Sequence, residues 1–284
     1  VGQLDRAAEH AAQAVALSRT YKDDQALLHS LLQLQLAAAG LCDFEQMLAV
    51  SREMEPLAVR AENARYLTMA FVGQGAAQLN LGDYADAYAL LEKARTYLPQ
   101  ELGPIPESVT LSLLASALRN QDRFDEAAEL ASQALKSVLK ARWSLVQLRH
   151  PFVCILDTYL ASPHPARYAV QIEVALAKLH RLAQRFPQAV PDDLLFHAIS
   201  DWRFGNPQRA ERTFRKSIAA ANKLGLKSEH AIAQYWFGIF AHSPAGVPFV
   251  PEGPTPHLIA ALNTFEQLKA AGLVARIHTA LETF

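Results

Sequence analysis

Adjacent carboxylates, histidines and cysteines are the residues in this chain of 284 that could do chemistry. Asp23-Asp24 and Asp192-Asp193 are paired carboxylates, the residue types used for general acid–base work. Successive positions on a helix point in different directions, so neither pair forms a dyad, and both fit helix capping better. His10, His29, His164, His180 and His230 are scattered, with no HExxH and no closely spaced ligand set, so no metal site is expected. Cys42 and Cys154 lie far apart. Two such thiols cannot make a tetrahedral zinc site alone, and they fit a reduced compartment without a disulfide. No GxGxxG, GxxxxGK[ST], GxSxG or CxxC motif occurs. The expectation is a chain without catalytic, cofactor-binding or metal-binding residues.

Any residues that do bind something must be held by helices. Hydrophobic residues make up 51% of the chain, charged residues 19%, and only 12 are glycine. Alternating β-branched runs are nearly absent, so helix is favoured over strand. A net charge of −1 and a pI near 6.9 give no bulk attraction to nucleic acid or to an anionic membrane. No apolar run reaches a membrane-spanning length of about 18 residues. No signal peptide precedes the first helix, so a cytoplasmic location is expected. The chain opens on Val1, and residues 2–19 read as the second helix of a hairpin whose first is missing. This predicts a fragment of a longer protein, whose other domains are among its partners.

One pattern recurs with a period of about 40 residues. Gly2-Gln3-Leu4-Asp5-Arg6-Ala7, Cys42-Asp43-Phe44-Glu45-Gln46-Met47, Gly82-Asp83-Tyr84-Ala85-Asp86-Ala87 and Asp122-Arg123-Phe124-Asp125-Glu126-Ala127 end at positions 7, 47, 87 and 127. A fixed period implies stacked copies of one supersecondary unit. In the best copy, residues 68–99, Phe71, Gly75 and Leu79 share a face of the first helix. Leu81-Gly82-Asp83 is the turn; Tyr84, Ala87, Leu91 and Ala94 line the second helix, which Pro99 ends. Weaker copies span 28–59, 111–134 and 193–224, a degenerate unit has helices near 143–160 and 167–186, and a last one pairs 229–241 with 257–270. A final helix is expected over 273–283. Within the last pair, residues 243–256 form a proline-rich insertion. Its Val247, Phe249 and Val250 should either pack back on the hairpins or contact a neighbouring domain or second copy.

The best copy resembles the tetratricopeptide repeat, through Phe71, Gly75, Ala87, Ala94 and Pro99; the next fits at Leu111, Ala115, Ala127 and Ala134 but has Leu139 in place of the proline. The period is similar to the longer-helix variant in C-terminal arms of STAND-type signalling ATPases and bacterial regulators. The resemblance implies an all-α fold: a right-handed superhelical solenoid of about six to seven antiparallel helix pairs with an open inner wall. It implies a concave groove built from first-helix positions: Met69, Val72, Ala76, Leu79, Asn80, Ser112, Ser116, Arg119, Asn120, Ile199, Trp202, Arg203, Tyr235, Ile239 and His242. Trp202 and Tyr235 could equally serve packing between repeats, and Arg119 and Arg203 could simply be solvated. The Lys and Asn clamp of chaperone-tail binders is absent, because Val72, Ala76, Ser112 and Ser116 stand at those positions.

Three functions are therefore weighed. The first is a non-catalytic interaction or scaffolding module that binds a peptide or helix, within a regulatory or signalling protein. The second is a sensor of a small ligand or peptide. The third is an α/α-toroid enzyme, which would need paired carboxylates in a closed, aromatic-lined hollow.

Overall fold

A computed structural model describes residues 2–98, 102–141 and 148–283. Among these it has α1 (Gly2–Tyr21), α2 (Asp24–Leu41), α3 (Phe44–Arg60), α4 (Ala64–Leu81), α5 (Tyr84–Tyr97), α6 (Pro104–Arg119) and α7 (Phe124–Val138). These are followed by α8 (Arg149–Ala161), α9 (Ala169–Ala183), α10 (Val190–Arg203), α11 (Pro207–Lys223), α12 (Lys227–His242), α13 (Thr255–Gln267) and α14 (Ala271–Thr283). The described residues contain no strand. The fold is an all-α solenoid: hairpins α2–α3, α4–α5, α6–α7, α8–α9, α10–α11 and α12–α13 stack in sequence, with α1 against α2 and α14 against α13. Pro99 and Trp143, expected at helix ends, lie outside the described residues.

The first half is built by a local rule with a step of 20 residues, broken only between α5 and α6. Lys22, Cys42, Glu62, Gly82 and Asp122 all take the left-handed conformation, at φ 53°, 59°, 50°, 95° and 59°. Each ends a helix. The next residue's N–H then bonds to the carbonyl five positions back, at 3.1 Å for Asp23 to Ser18, 2.9 Å for Asp43 to Ala38 and 3.0 Å for Asp83 to Gln78. That same residue starts the following helix. The side chains of Asp23, Asp43, Asn63 and Asp83 accept from the N–H of Ala26, Gln46, Tyr66 and Asp86 at 2.9, 3.0, 3.3 and 3.1 Å. Because these caps come so early, α2 and α4 begin about four residues before the apolar pattern suggests.

Close crossing of each pair depends on small residues. A Cβ on Gly75 would lie 2.5 Å from Leu91 Cγ, and Ala87, Leu91 and Ala94 are fully buried beneath α4. Burying a leucine of this kind stabilises by about 1.5–3 kcal/mol. In the insertion, Val250 joins the main core at 2% exposure, Phe249 is half-buried and Val247 stays 60% exposed. The segment thus packs back through Val250 and leaves Val247 in solvent.

The inner wall is not open along its whole length. The turn before α14 reaches back to the first hairpins, and α14 packs on α4. A Cβ on Gly272 would sit 2.9 Å from both Cα and N of Gly82, so backbone meets backbone there. Lys269 Nζ donates to Glu45 Oε2 at 2.7 Å, and Phe44 packs against the C-terminal cluster of Leu258, Phe265 and Ile277. The C-terminal end of the solenoid therefore touches α3, α4 and the turn after α4.

Candidate functional site

The first helices α6, α10 and α12 point side chains into the concavity, and α14 crosses it. Arg119, Asn120, Trp202, Tyr235 and His242 line one cavity of about 650 Å³, together with Tyr84 from α5 and Arg276 from α14. These five expected groove residues come together from three repeats. Asn80 lies beside the closure: its amide donates to Ala76 O at 2.8 Å, and its own carbonyl is 3.1 Å from where a Gly272 Cβ would be.

Other groove expectations need correction. Val72, Ser112 and Ser116 are buried at 8, 0 and 4% exposure, so they cannot meet a partner. Neighbouring first helices approach too closely here. Ser112 and Ser116 donate to the carbonyls of Val109 and Ser112 at 2.9 and 3.1 Å, and lie near the buried Cys154 of α8, whose thiol is pushed up to about 11 by burial. Val72 belongs to the main core. Met69 is half-buried against the N-terminal cluster, and its carbonyl accepts from Gln35 Nε2 at 3.2 Å. Arg203 is spent on structure: its Nη2 donates to Ser162 O at 2.7 Å.

The cavity carries two arginines, Arg119 and Arg276, with Asp122 also on its wall. Arg119 is buried and ion-paired with Asp157 of α8, yet its Nε has no hydrogen-bond partner. Burial lowers the Arg119 pKa against the pull of Asp157, and the nearby Arg276 lowers it further. Arg276 lies 5.4 Å from the centre of the Tyr235 ring. Burial opposes its charge too, but Tyr235, Asp157 and Tyr84 outweigh that and raise its pKa. Trp202 meets Phe240 edge-on at 5.7 Å, so it serves packing and lining together. Arg276 was missed by sequence reasoning, since only contact between distant repeats brings α14 into the groove.

A separate ionic knot joins the starts of three first helices. Arg149 Nη1 donates to Asp192 Oδ2 at 2.6 Å and to Glu229 Oε1 at 2.8 Å. Asp192 is raised to about 6 by burial, which Arg149 only partly offsets. Cys42, whose thiol is raised by burial, lies beside Ser228 at the start of α12. This is a second junction between early and late repeats. A wider cavity of about 1000 Å³ opens between α9 and α11, with α10 as its floor. His180, Asp193 and His197 meet there, although His180 lies on a different helix from the other two. That separation hid the cluster from spacing rules, although Asp193 and His197 are four apart on one helix.

A family model of the tetratricopeptide repeat matches residues 69–93, in α4–α5, and 108–133, in α6–α7. Over these two hairpins the chain is similar to the tetratricopeptide repeat. Tetratricopeptide repeats generally mediate protein–protein interaction or scaffolding and are typically non-catalytic. The chain is also similar to the crystal structure of BtubC (BKLC) from P. vanneervenii, at 14% identity and a TM-score of 0.48, over 87% of this chain and 92% of that one. No curated protein matches it. Among the described residues, no helix is long and apolar enough to cross a membrane.

Proposed function

We propose that the chain is a docking module whose concave cavity takes an acidic stretch of a protein partner. The two guanidinium groups of Arg119 and Arg276 beside one cavity carry this reading. A carboxylate is the strongest acceptor a peptide offers to such groups. Trp202, Tyr84 and Tyr235 supply flat apolar surface for the flanking residues. Binding of this kind suits a scaffold within a larger regulatory protein.

A small anionic effector is the second reading. The cavity volume, narrowed by α14, falls within the range of small-molecule sites. The toroid-enzyme reading gains nothing from the contact of α14 with α4, because the enclosed space presents arginines in place of a carboxylate pair.

Peptide-array profiling of the chain separates these readings. Docking predicts selection of acidic sequences and loss of that selection in Arg276→Ala. Selection of neutral or basic sequences, or no effect of the variant, contradicts it. A thermal shift with small dicarboxylates or phosphates but no peptide selection favours the effector.

A further inference from the structure

The cavity between α9 and α11 holds three side chains that the docking groove does not use. We propose that His180, Asp193 and His197 bind one divalent transition-metal ion, zinc by preference, with a coordination position left open to that cavity. His180 sits in the last turn of α9, while Asp193 and His197 occupy successive turns on one face of α10. His180 Nδ1 is 2.9 Å from Asp193 Oδ2, and His197 Nε2 is 3.4 Å from Asp193 Oδ1. One ligand atom from each of the three residues lies within 4.8 Å of the others. Zinc bonds of about 2.0–2.2 Å in tetrahedral geometry put ligand atoms roughly 3.3–3.5 Å apart, so small side-chain rotations close the site.

Asp193 supplies the independent observation. It is 6% exposed, and its Oδ1 is buried with no hydrogen-bond partner. A buried carboxylate oxygen without a donor is costly, and a cation satisfies it directly. The two imidazoles are partly exposed on the cavity wall, which gives an ion a path in. A supporting partner is in place as well. Gln184 Nε2 lies 3.2 Å from His180 Nε2, and turning that amide over puts its oxygen where it accepts the ring N–H. His180 Nδ1 is then left with its lone pair toward Asp193, the tautomer a metal requires. Two imidazoles and one carboxylate suit zinc or its neighbours over calcium or magnesium. The competing account is a plain latch, in which the histidines only pair with Asp193 and tie α9 to α10.

The test uses the full chain stripped with a chelator. Zn(II) is titrated by calorimetry and Co(II) by visible absorption. Binding predicts one saturable equivalent, weakened more than about tenfold by His180→Ala and by His197→Ala and unchanged by His164→Ala. Circular dichroism checks that each variant is folded. Independently of any variant, bound Zn(II) should shield His180 and His197 of the unaltered chain from diethylpyrocarbonate, read by mass spectrometry. No saturable binding, binding that survives both substitutions, or labelling of both histidines unchanged by Zn(II) establishes the latch and overturns the site.

Discussion

The two halves of this solenoid are assembled differently. From α1 to α5 the chain repeats a step of 20 residues, and the four helix starts α2 to α5 carry the same Asp or Asn cap. From α6 onward no helix start with a described cap has a side-chain cap bond. Ion pairs between helices stand in their place, above all Arg149 with Asp192 and Glu229. The early half is specified by neighbours in sequence and the late half by neighbours in space. The His180–Asp193–His197 cluster lies wholly in the late half, whereas the docking cavity joins Tyr84 of α5 and Arg119 of α6 to Trp202, Tyr235 and Arg276 of the late half.

The comparison breaks first at Arg149. Removing one partner of a buried ion pair destabilises by about 3–5 kcal/mol, so Arg149→Met should produce the largest loss in denaturant unfolding. A loss under about 1 kcal/mol would mean that the ionic knot does not hold the late half together. Gly272→Val comes next, at about 1–3 kcal/mol, since its side chain must enter the Gly82 backbone. Asp43→Ala and Asp83→Ala should cost about 1 kcal/mol each, whereas Asn206→Ala, which makes no cap bond, should cost less. Equal losses would erase the distinction between the halves. Lys269→Ala should leave the melting temperature unchanged, because its pair with Glu45 is solvent-exposed.

Protonation sharpens the same contrast. Asp192 holds its proton more tightly folded than unfolded, with a folded pKa of about 6 against an ordinary 3.8. Its contribution to stability is therefore complete below about pH 4 and is lost as pH rises to about 6. Asp192→Asn should remove this slope. Measured by urea midpoints, the stability of the unaltered chain should fall relative to the variant from about pH 4 to about pH 6, and parallel pH profiles would refute the Asp192 account.

Much of the fold was legible because local rules write it. The 40-residue period, the Gly75–Ala87 crossing and the turn at Gly82 all read directly from residue types. The groove was legible only in part. Arg119, Trp202 and Tyr235 stand at first-helix positions that the tetratricopeptide resemblance assigns to the groove. Ser112 and Ser116 share that periodicity but are sealed by α8, because the distance between neighbouring helices is set by packing that one helix does not record. Arg276, the Gly82–Gly272 contact and the His180–Asp193–His197 cluster join residues on separate helices, and for the first two the separation is most of the chain.

The central claim is that α14 closes the solenoid and forms one wall of the groove. Hydrogen–deuterium exchange over residues 271–283, in the unaltered chain and in Gly272→Val, tests it most directly. The account predicts amides in α14 protected to nearly the level of α4, with that protection lost selectively in the variant. Rapid exchange of α14 in the unaltered chain, at the rate of an undocked helix, would contradict it.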